Sequence, residues 1–521
     1  MKFVVALLAN LCLAAAPAVT FAQDFRTVPP LIPRPETINP IAGAELQLTR
    51  SFTIFVPDDA PDDRAAGEYL AQVIEEHLGM KLPVKGVNRL DAAPGSIFLF
   101  SSMADKELGD EGYELTVRTN AVIISAGHPA GLFYAVQTLR QLLPVDARGG
   151  EARIPCLRIM DRPKYAYRGF MLDSSRHFMS VDFIKRTLDL MAYHKLNRFH
   201  WHVTDEQGWR LRIAKYPKLT EIGAARDFDS KQREPAFYSK DDVRDVVAHA
   251  KSRHIVIVPE IEMPAHCDAA LASYPQLACE GGPGAFCAGK EETFQFLFDV
   301  LDETVELFPN SPVIHIGGDE RPKDVWSKCP RCQARMNELN VNTEYELQTW
   351  FMRRITDHLK KRGRRAMTWA VTQTDPYEPK DMSDVGQGAI VQNWHGGAAF
   401  AAKQGWDVVN SDNRFVYFDY PTQPDAGKPK WMPLLDLEKV FSFDPTPPGL
   451  SPEESKHILG GEACLWTEHV PQERVDAQMF PRLLALAEAV WSPGQRSEFR
   501  DFARRAEAHM ARLKQMGVDA R

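Results

Sequence analysis

From Tyr167 onward the chain repeats one pattern. A short apolar run ends in a polar or aromatic residue, and a longer stretch with apolar positions at helical spacing follows. The short runs are YRGFMLD (167–173), RFHWHV (198–203), IVIVPEI (255–261), VIHIGG (313–318), RAMTWA (365–370), AIVQNW (389–394), DVVNSD (407–412) and GGEACLW (460–466). VDFIKRTLDLMAYHKL, KDDVRDVVAHAKSR, ETFQFLFDVLDETVELF and TEYELQTWFMRRITDHLKKR supply the clearest helices between them, and FPRLLALAEAVW closes the series. The helices of the sixth to eighth repeats are poorly marked. Eight strand–helix units in succession predict an α/β chain folded as a (β/α)8 TIM-type barrel. Active sites of such barrels sit at the C-terminal ends of the strands. The strand ends here carry Asp173, His202 to Asp205, Glu260 to His266, Asp319-Glu320, Trp369, Trp394 and Trp466.

The preceding part has a different texture. SFTIFVP and GYELTVRTNAVIISA are strand-like, and AGLFYAVQTLRQLL has helical spacing, so residues 23–155 read as a small α/β domain before a barrel at 156–521. RIPCLRIMDRPKY is the junction. The opening MKFVVALLANLCLAAAPAVTFAQD has Lys2 as its one charge before Asp24, an apolar run, and small residues around a cut after Ala22. Residues 1–22 therefore read as a signal peptide, because the run is short for a membrane anchor and contains Pro17. No later stretch approaches the ~20 unbroken apolar residues of a spanning helix. The expectation is an exported protein, periplasmic or secreted, with no membrane attachment after cleavage. A net charge of −8 without charge runs gives no electrostatic footprint for nucleic acid, and nothing sets an oligomeric state.

Beyond Cys12 in the leader, the cysteines are Cys156, Cys267, Cys279, Cys287, Cys329, Cys332 and Cys464. The close pairs Cys279/Cys287 and Cys329/Cys332 suit loop disulfides in an exported chain. CPRC (329–332) also reads as half of a zinc site or a redox motif. A structural zinc wants a second pair at suitable spacing, and the sequence is read as having none. Loop disulfides are the favoured reading, and free thiols come next.

The most informative stretch is VIHIGGDERP (313–322), where an apolar strand finishes in adjacent acids, Asp319 and Glu320. Paired carboxylates in a pocket suggest glycosidic bond cleavage. Neighbours on a strand diverge, so Asp319 is a poor nucleophile facing Glu320 across a sugar. A better division has one acid protonating while the other holds a substrate group that attacks. A cap or a solvated turn is the plain alternative. In HWHVTDEQGWR (200–210), His200 and His202 could ligate zinc, as in metal-dependent barrel hydrolases. Completing that site would need His266, His315 or His395, and a relay or a satisfied core histidine is the better reading, with no metal and no organic cofactor. Trp369, Trp394 and Trp466, at the ends of strands five, six and eight, can wall a pocket for the apolar faces of sugar rings. Tyr417 and Asp419 in VYFDYP share a face if that stretch is extended.

Together LIPRPETI, RGFMLDSSRHF, NRFHWHVTDEQGWRLRI, VPEIEMPAH, HIGGDE, EACLWTE and AEAVW resemble, in order, family 20 of the glycoside hydrolases, the β-N-acetylhexosaminidases. The resemblance covers nearly the whole mature chain. It implies a small α/β domain before the barrel, and a mechanism in which the substrate's own 2-acetamido oxygen attacks the anomeric carbon. It assigns Glu320 as general acid/base and Asp319 as the residue that orients and polarises the acetamido N–H. Tyr417 would hydrogen-bond the acetamido carbonyl, Arg168 would clamp the 3- and 4-hydroxyls, and Asp419 and Glu468 would hold the 4- and 6-hydroxyls. Trp369, Trp394 and Trp466 would line the pocket of the cleaved sugar, and Asp205 and His266 would tune the acid through a relay. Ala265 in PAHC, Ala370-Val371 after Trp369 and Arg321 after Glu320 depart from the family's usual residues, which leaves the region beyond the first sugar unspecified. The implied substrate is a small carbohydrate ending in β-linked N-acetylglucosamine or N-acetylgalactosamine. Disaccharide release of the lacto-N-biosidase kind, and a catalytically silent glycan-binding protein, are the alternatives.

Overall fold

A computed structural model describes residues 28–519 except 89–93, 102–105, 146–150, 226–233, 281, 323, 371–383, 424–428, 430 and 495–496. The expected signal peptide and Val371 lie outside the described residues.

The first unit is a seven-stranded sheet made of β1 (Thr37–Thr49), β2 (Thr53–Pro57), β3 (Val84–Val87), β4 (Ser96–Phe100), β5 (Tyr113–Val117), β6 (Ala121–Ala126) and β7 (Glu151–Asp161), ordered β1-β7-β5-β6-β4-β2-β3. Helices Pro61–Leu78 and Pro129–Leu142 pack on each other and on this sheet. The second is buried almost all round, as an apolar helix must be when it is sandwiched. On its far side Gln141 Nε2 donates to the carbonyl of Tyr193 in the barrel, at 3.1 Å. Strand β7 runs past the junction expected at 155/156, because its whole length pairs with β1 and β5. Its last residue, Asp161, ties the two units together. It accepts from Tyr113 at 2.7 Å, Lys195 Nζ at 2.8 Å and the Trp491 indole at 3.0 Å.

The second unit is a closed parallel barrel of β8 (Tyr167–Asp173), β9 (Arg198–His202), β10 (Val256–Glu260), β13 (Val313–His315), β14 (Arg365–Trp369), β15 (Ile390–Asn393), β16 (Asp407–Asn410) and β17 (Ile458–Leu465). All eight expected strands are present. A two-stranded hairpin, β11 (Ala278–Cys279) and β12 (Gly282–Phe286), rises from the loop after β10. Helices Val181–Tyr193, Lys240–Ser252, Glu291–Leu307 and Glu344–Lys361 follow the sequence pattern closely. Among the described residues, the chain makes only Ala398–Lys403 after β15, and only Asn413–Val416, Leu437–Phe441 and Pro452–Ser455 between β16 and β17. Short pieces carry too few turns to write a periodicity, which is why the sequence marks these repeats poorly.

Side chains fill the barrel in layers. Tyr167, Val258, Val313, Met367, Ile390 and Val409 form an apolar plug toward the N-terminal end. Two residues further along their strands, on the same inward face, come Glu260, His315, Trp369 and Gln392. The interior thus changes from apolar to polar in one layer, on the way to the end where the site lies.

Candidate active site

Strand β13 ends abruptly. Gly317 (φ 59°), Gly318 (φ 114°) and Glu320 (φ 44°) all have left-handed backbone. A Cβ on Gly317 would fall 1.8 Å from Glu262 Oε2, so only glycine fits there. The sharp turn overrides strand alternation, and Asp319 and Glu320 both line one cleft of about 600 Å³. Glu320 is exposed to it, whereas Asp319 is largely sunk into its wall. The turn is pinned from behind. Gln348 Nε2 donates to the Gly318 carbonyl at 2.7 Å, and Arg321 pairs with Glu344 while lying over the Trp326 ring. His266 is another left-handed residue (φ 50°). Non-glycine residues held there at a cleft mark stored strain of the kind found at functional sites. Its Nε2 lies 3.7 Å from Glu320 Oε2 and 3.9 Å from Asp319 Oδ2, and its Nδ1 lies 3.3 Å from Asp205 Oδ1.

Behind these residues runs a buried chain of alternating carboxylates and imidazoles. Glu462 accepts from Tyr167 at 2.7 Å, Gln392 at 2.7 Å and His200 Nδ1 at 2.8 Å. His200 Nε2 meets Glu260 at 3.0 Å, His202 bridges Glu260 to Asp205, and the Trp369 indole donates to Glu260 at 2.8 Å. Burial opposes charge on His200 and His202. Even so, Glu462 and Glu260 around the first, and Glu260 and Asp205 around the second, raise them to about 9 and about 10. Both rings direct both of their nitrogens at carboxylates.

The charges in the cleft are equally ordered. Burial, with Glu320 and Glu260 adding to it, pushes Asp319 up to about 6, while His266 pulls the other way. Burial works against a cation at His266, yet Asp205 and Asp319 raise it to about 10. Glu262, buried beside Asp319, is pushed well above the carboxylate range by burial and by Asp319, Glu260 and Asp205. Near neutrality the cleft therefore holds an imidazolium at His266 and an ionised Asp319, beside a Glu262 carboxyl whose surroundings favour its protonated form. Asp319 Oδ1 is buried and has no hydrogen-bond partner among the described residues.

Of the residues expected from the sequence, Asp205, His266, Asp319, Glu320, Trp394, Tyr417, Asp419, Trp466 and Glu468 all line the cleft. Two do not. Arg168 is the second residue of β8, near the end of the barrel opposite the cleft, and is fully buried. Its guanidinium is consumed by Glu111 (2.8 Å to each carboxylate oxygen), the carbonyls of Lys195 and Tyr165 (2.8 Å each) and Tyr134 OH (3.2 Å). It therefore seals the interface between the two units and cannot clamp a substrate. Trp369 is buried beneath Trp466, with ring centroids 5.8 Å apart, and serves Glu260 rather than the cleft surface. The arginine of this motif that does line the cleft is Arg176, just past the end of β8 in the same RGFMLDSSRHF stretch. It bonds Asp205 Oδ2 at 2.7 Å, lies 3.8 Å from Glu468 and covers the Trp466 ring. Position along the strand is the signal that separates the two arginines. Sequence reasoning also missed Glu262, Tyr420, Trp431 and His469 in the cleft wall. Trp431 is a largely exposed ring at the rim, edge-on to Tyr420.

The disulfide expectation is corrected as well. Cys279, Cys287, Cys329 and Cys332 are all free and buried, and they converge on one another. The hairpin β11–β12 and the start of helix Pro330–Leu339 bring the two close pairs into one group, which loop spacing alone does not place.

Comparison with known proteins agrees with this geometry. Residues 165–494 match the model of the glycosyl hydrolase family 20 catalytic domain, and residues 28–162 match that family's domain 2. A beta-hexosaminidase of Porphyromonas gingivalis is 37% identical over 499 residues, which is 91% of this chain and 63% of that protein, so the chain spans less than two thirds of this relative. The solved structure of an exo β-N-acetylglucosaminidase from Vibrio harveyi, in complex with N-acetylglucosamine, superposes with a TM-score of 0.84 at 32% identity, covering 97% of this chain and 79% of that one. A β-N-acetylhexosaminidase structure from Bacteroides fragilis gives 0.81 at 34%, covering 94% and 96%. With both domain models matched in order and a closed barrel carrying the acidic pair, the chain belongs to glycosyl hydrolase family 20.

Proposed function

We propose that this chain is an exo-acting β-N-acetylhexosaminidase that removes terminal, non-reducing β-linked N-acetylglucosamine or N-acetylgalactosamine, with retention through an oxazolinium intermediate. The observation that carries the reading is the unpartnered, buried Asp319 Oδ1 beside the exposed acid Glu320. A buried acceptor of this kind calls for a donor, and the acetamido N–H of a bound sugar supplies one. In the first step the acetamido oxygen forms a bond to the anomeric carbon as the bond to the leaving oxygen breaks, and Glu320 gives that oxygen its proton. Asp319 holds the N–H and offsets the positive charge on the oxazolinium, and the Tyr417 hydroxyl positions the acetamido carbonyl. In the second step Glu320 takes a proton from water as it adds to the anomeric carbon, which restores the acetamide. Trp394 and Trp466 offer aromatic faces to the sugar, Arg176, Asp419 and Glu468 offer polar partners for its hydroxyls, and Trp431 offers a further face at the rim.

The direct test follows the first products from β-1,4-linked N-acetylglucosamine trisaccharide by proton NMR. Monosaccharide released from the non-reducing end as the β-anomer is expected. The accompanying disaccharide should keep the original reducing end; a newly formed reducing end on the disaccharide, or an α-anomer as first product, would contradict the proposal. Export is part of it: the mature chain is expected to begin at Gln23, which N-terminal sequencing of protein from the periplasm or medium checks.

The two arginines give opposite expectations. Arg176→Gln should lower kcat/KM roughly 10- to 100-fold, mostly through KM, because a charge-assisted contact to hydroxyls is worth about 1.5–3 kcal/mol. Arg168→Gln should lower the melting temperature and leave KM unchanged, since breaking a buried ion pair costs about 3–5 kcal/mol. Steady-state kinetics and thermal denaturation of both variants separate the roles.

The pH profile follows from the charges. Asp319 must be ionised to accept the N–H, so kcat/KM should fall as pH drops through about 6. His266 lowers the Asp319 pKa, so His266→Gln should move this acid limb to higher pH. An unmoved limb would assign it to another group.

A further inference from the structure

We propose that Cys279, Cys287, Cys329 and Cys332 hold a single structural zinc ion. The four sulfurs lie within 4.8 Å of one another, and all four residues are buried. Cys279 Sγ stands 3.6 Å from Cys332 Sγ, and Cys287 Sγ stands 3.6 Å from Cys332 Sγ and 3.7 Å from Cys329 Sγ. A tetrahedral zinc with sulfur bonds of about 2.3 Å has sulfur–sulfur edges of about 3.8 Å. The separations match those edges. Two disulfides would instead give each sulfur one partner at bonding distance, about 2.05 Å. Here Cys287 and Cys332 are each near-equidistant from two others, which is the signature of a shared centre.

The backbone is built to bring these sulfurs together. Cys279 closes β11 and Cys287 follows β12, so the hairpin holds the two members of this close pair on one side of the site. Cys329 caps the helix Pro330–Leu339, and Cys332 lies in its first turn. The two segments press against each other at Gly289, where a Cβ would lie 2.3 Å from the Arg331 carbonyl and 2.7 Å from Cys332 N. A set of four thiolates favours zinc over harder cations, and a closed set with no open position is structural, not hydrolytic.

The site has a consequence for the cleft. The Trp326 indole, on the segment that follows the acids, donates to the Phe286 carbonyl beside Cys287 at 3.0 Å. The Phe286 amide donates to Pro264 O at 2.8 Å, next to the segment that carries His266. Zinc thus knots together the two loops that present Glu320 and His266, and acts as a positioning element for both.

The test measures metal and thiols on the full mature chain, purified without added metal, chelator or reductant. One zinc per chain by elemental analysis is expected, with the four thiols unreactive until a mercurial releases the metal. Cobalt exchanged into the site should show the visible bands of a tetrahedral thiolate centre. Cys332→Ser should abolish stoichiometric zinc and lower the melting temperature, with a fall in kcat larger than any change in KM. If that variant does not fold, the wild-type metal content still decides. Four reactive thiols without metal, iron in place of zinc, or peptide mapping that finds Cys279–Cys332 and Cys287–Cys329 disulfides would each overturn the proposal.

Discussion

Glu320→Gln is expected to reduce turnover of unactivated β-N-acetylglucosaminides by roughly a hundred- to ten-thousand-fold, the range that a positioned general acid supplies. The loss should depend on the leaving group. A nitrophenolate departs without protonation, so the first step on aryl substrates should suffer little, while an alkyl or sugar leaving group needs the proton. Glu320 has the geometry for this: it is exposed on a left-handed turn, and its carboxylate sits 3.7 Å from the His266 ring. Because glutamine occupies nearly the same volume, KM for oligosaccharides should be little changed. A series of aryl glycosides plotted against leaving-group pKa reads the effect as a steeper slope in the variant. Equal losses across the series would remove Glu320 from the role of proton donor.

Asp319→Asn carries the second large effect. The side chain is sunk where water is scarce, so its charge acts on the developing oxazolinium with little screening. Removing one such preorganised partner costs about 2.7–4 kcal/mol, or roughly a hundred- to thousand-fold in kcat. The amide also presents an N–H₂ group toward the acetamido N–H and turns an attraction into a clash of donors. This variant should lose turnover even on nitrophenyl substrates, since ring closure no longer has its counter-charge. The two variants therefore separate on activated substrates, where Glu320→Gln keeps its first step and Asp319→Asn does not.

How much of this was legible in the sequence depends on the range of the interaction. All eight barrel strands could be read, because a buried parallel strand must be an apolar run and its end must carry the chemistry. The acidic pair and Trp466 could be read for the same reason, since they follow the ends of strands, whereas the roles of Tyr417, Asp419 and Glu468 came from the family resemblance. Arg168 and Arg176 lie in one motif, and only their distance from the end of β8 assigns one to the domain interface and the other to the cleft. Trp369 illustrates a related error, since an aromatic at a strand end can face inward to a polar layer as readily as outward to a cleft. The chain from Glu462 through His200, Glu260 and His202 to Asp205 joins residues from three strands and the loop after β9, and no local pattern announces it. The convergence of the four cysteines was hidden in the same way, because two close pairs lying far apart in sequence meet only in the fold.

The central claim is that the substrate supplies its own nucleophile while Asp319 and Glu320 assist. The most direct measurement compares hydrolysis of aryl β-N-acetylglucosaminide with aryl β-glucoside, with an oxazoline-mimicking thiazoline as inhibitor. Activity confined to the acetamido sugar, and tight inhibition by the thiazoline, is the result expected. Comparable hydrolysis of the glucoside would require a nucleophile from the protein, and Asp319 could then no longer be the holder of an attacking acetamide, nor Glu320 the acid that serves it.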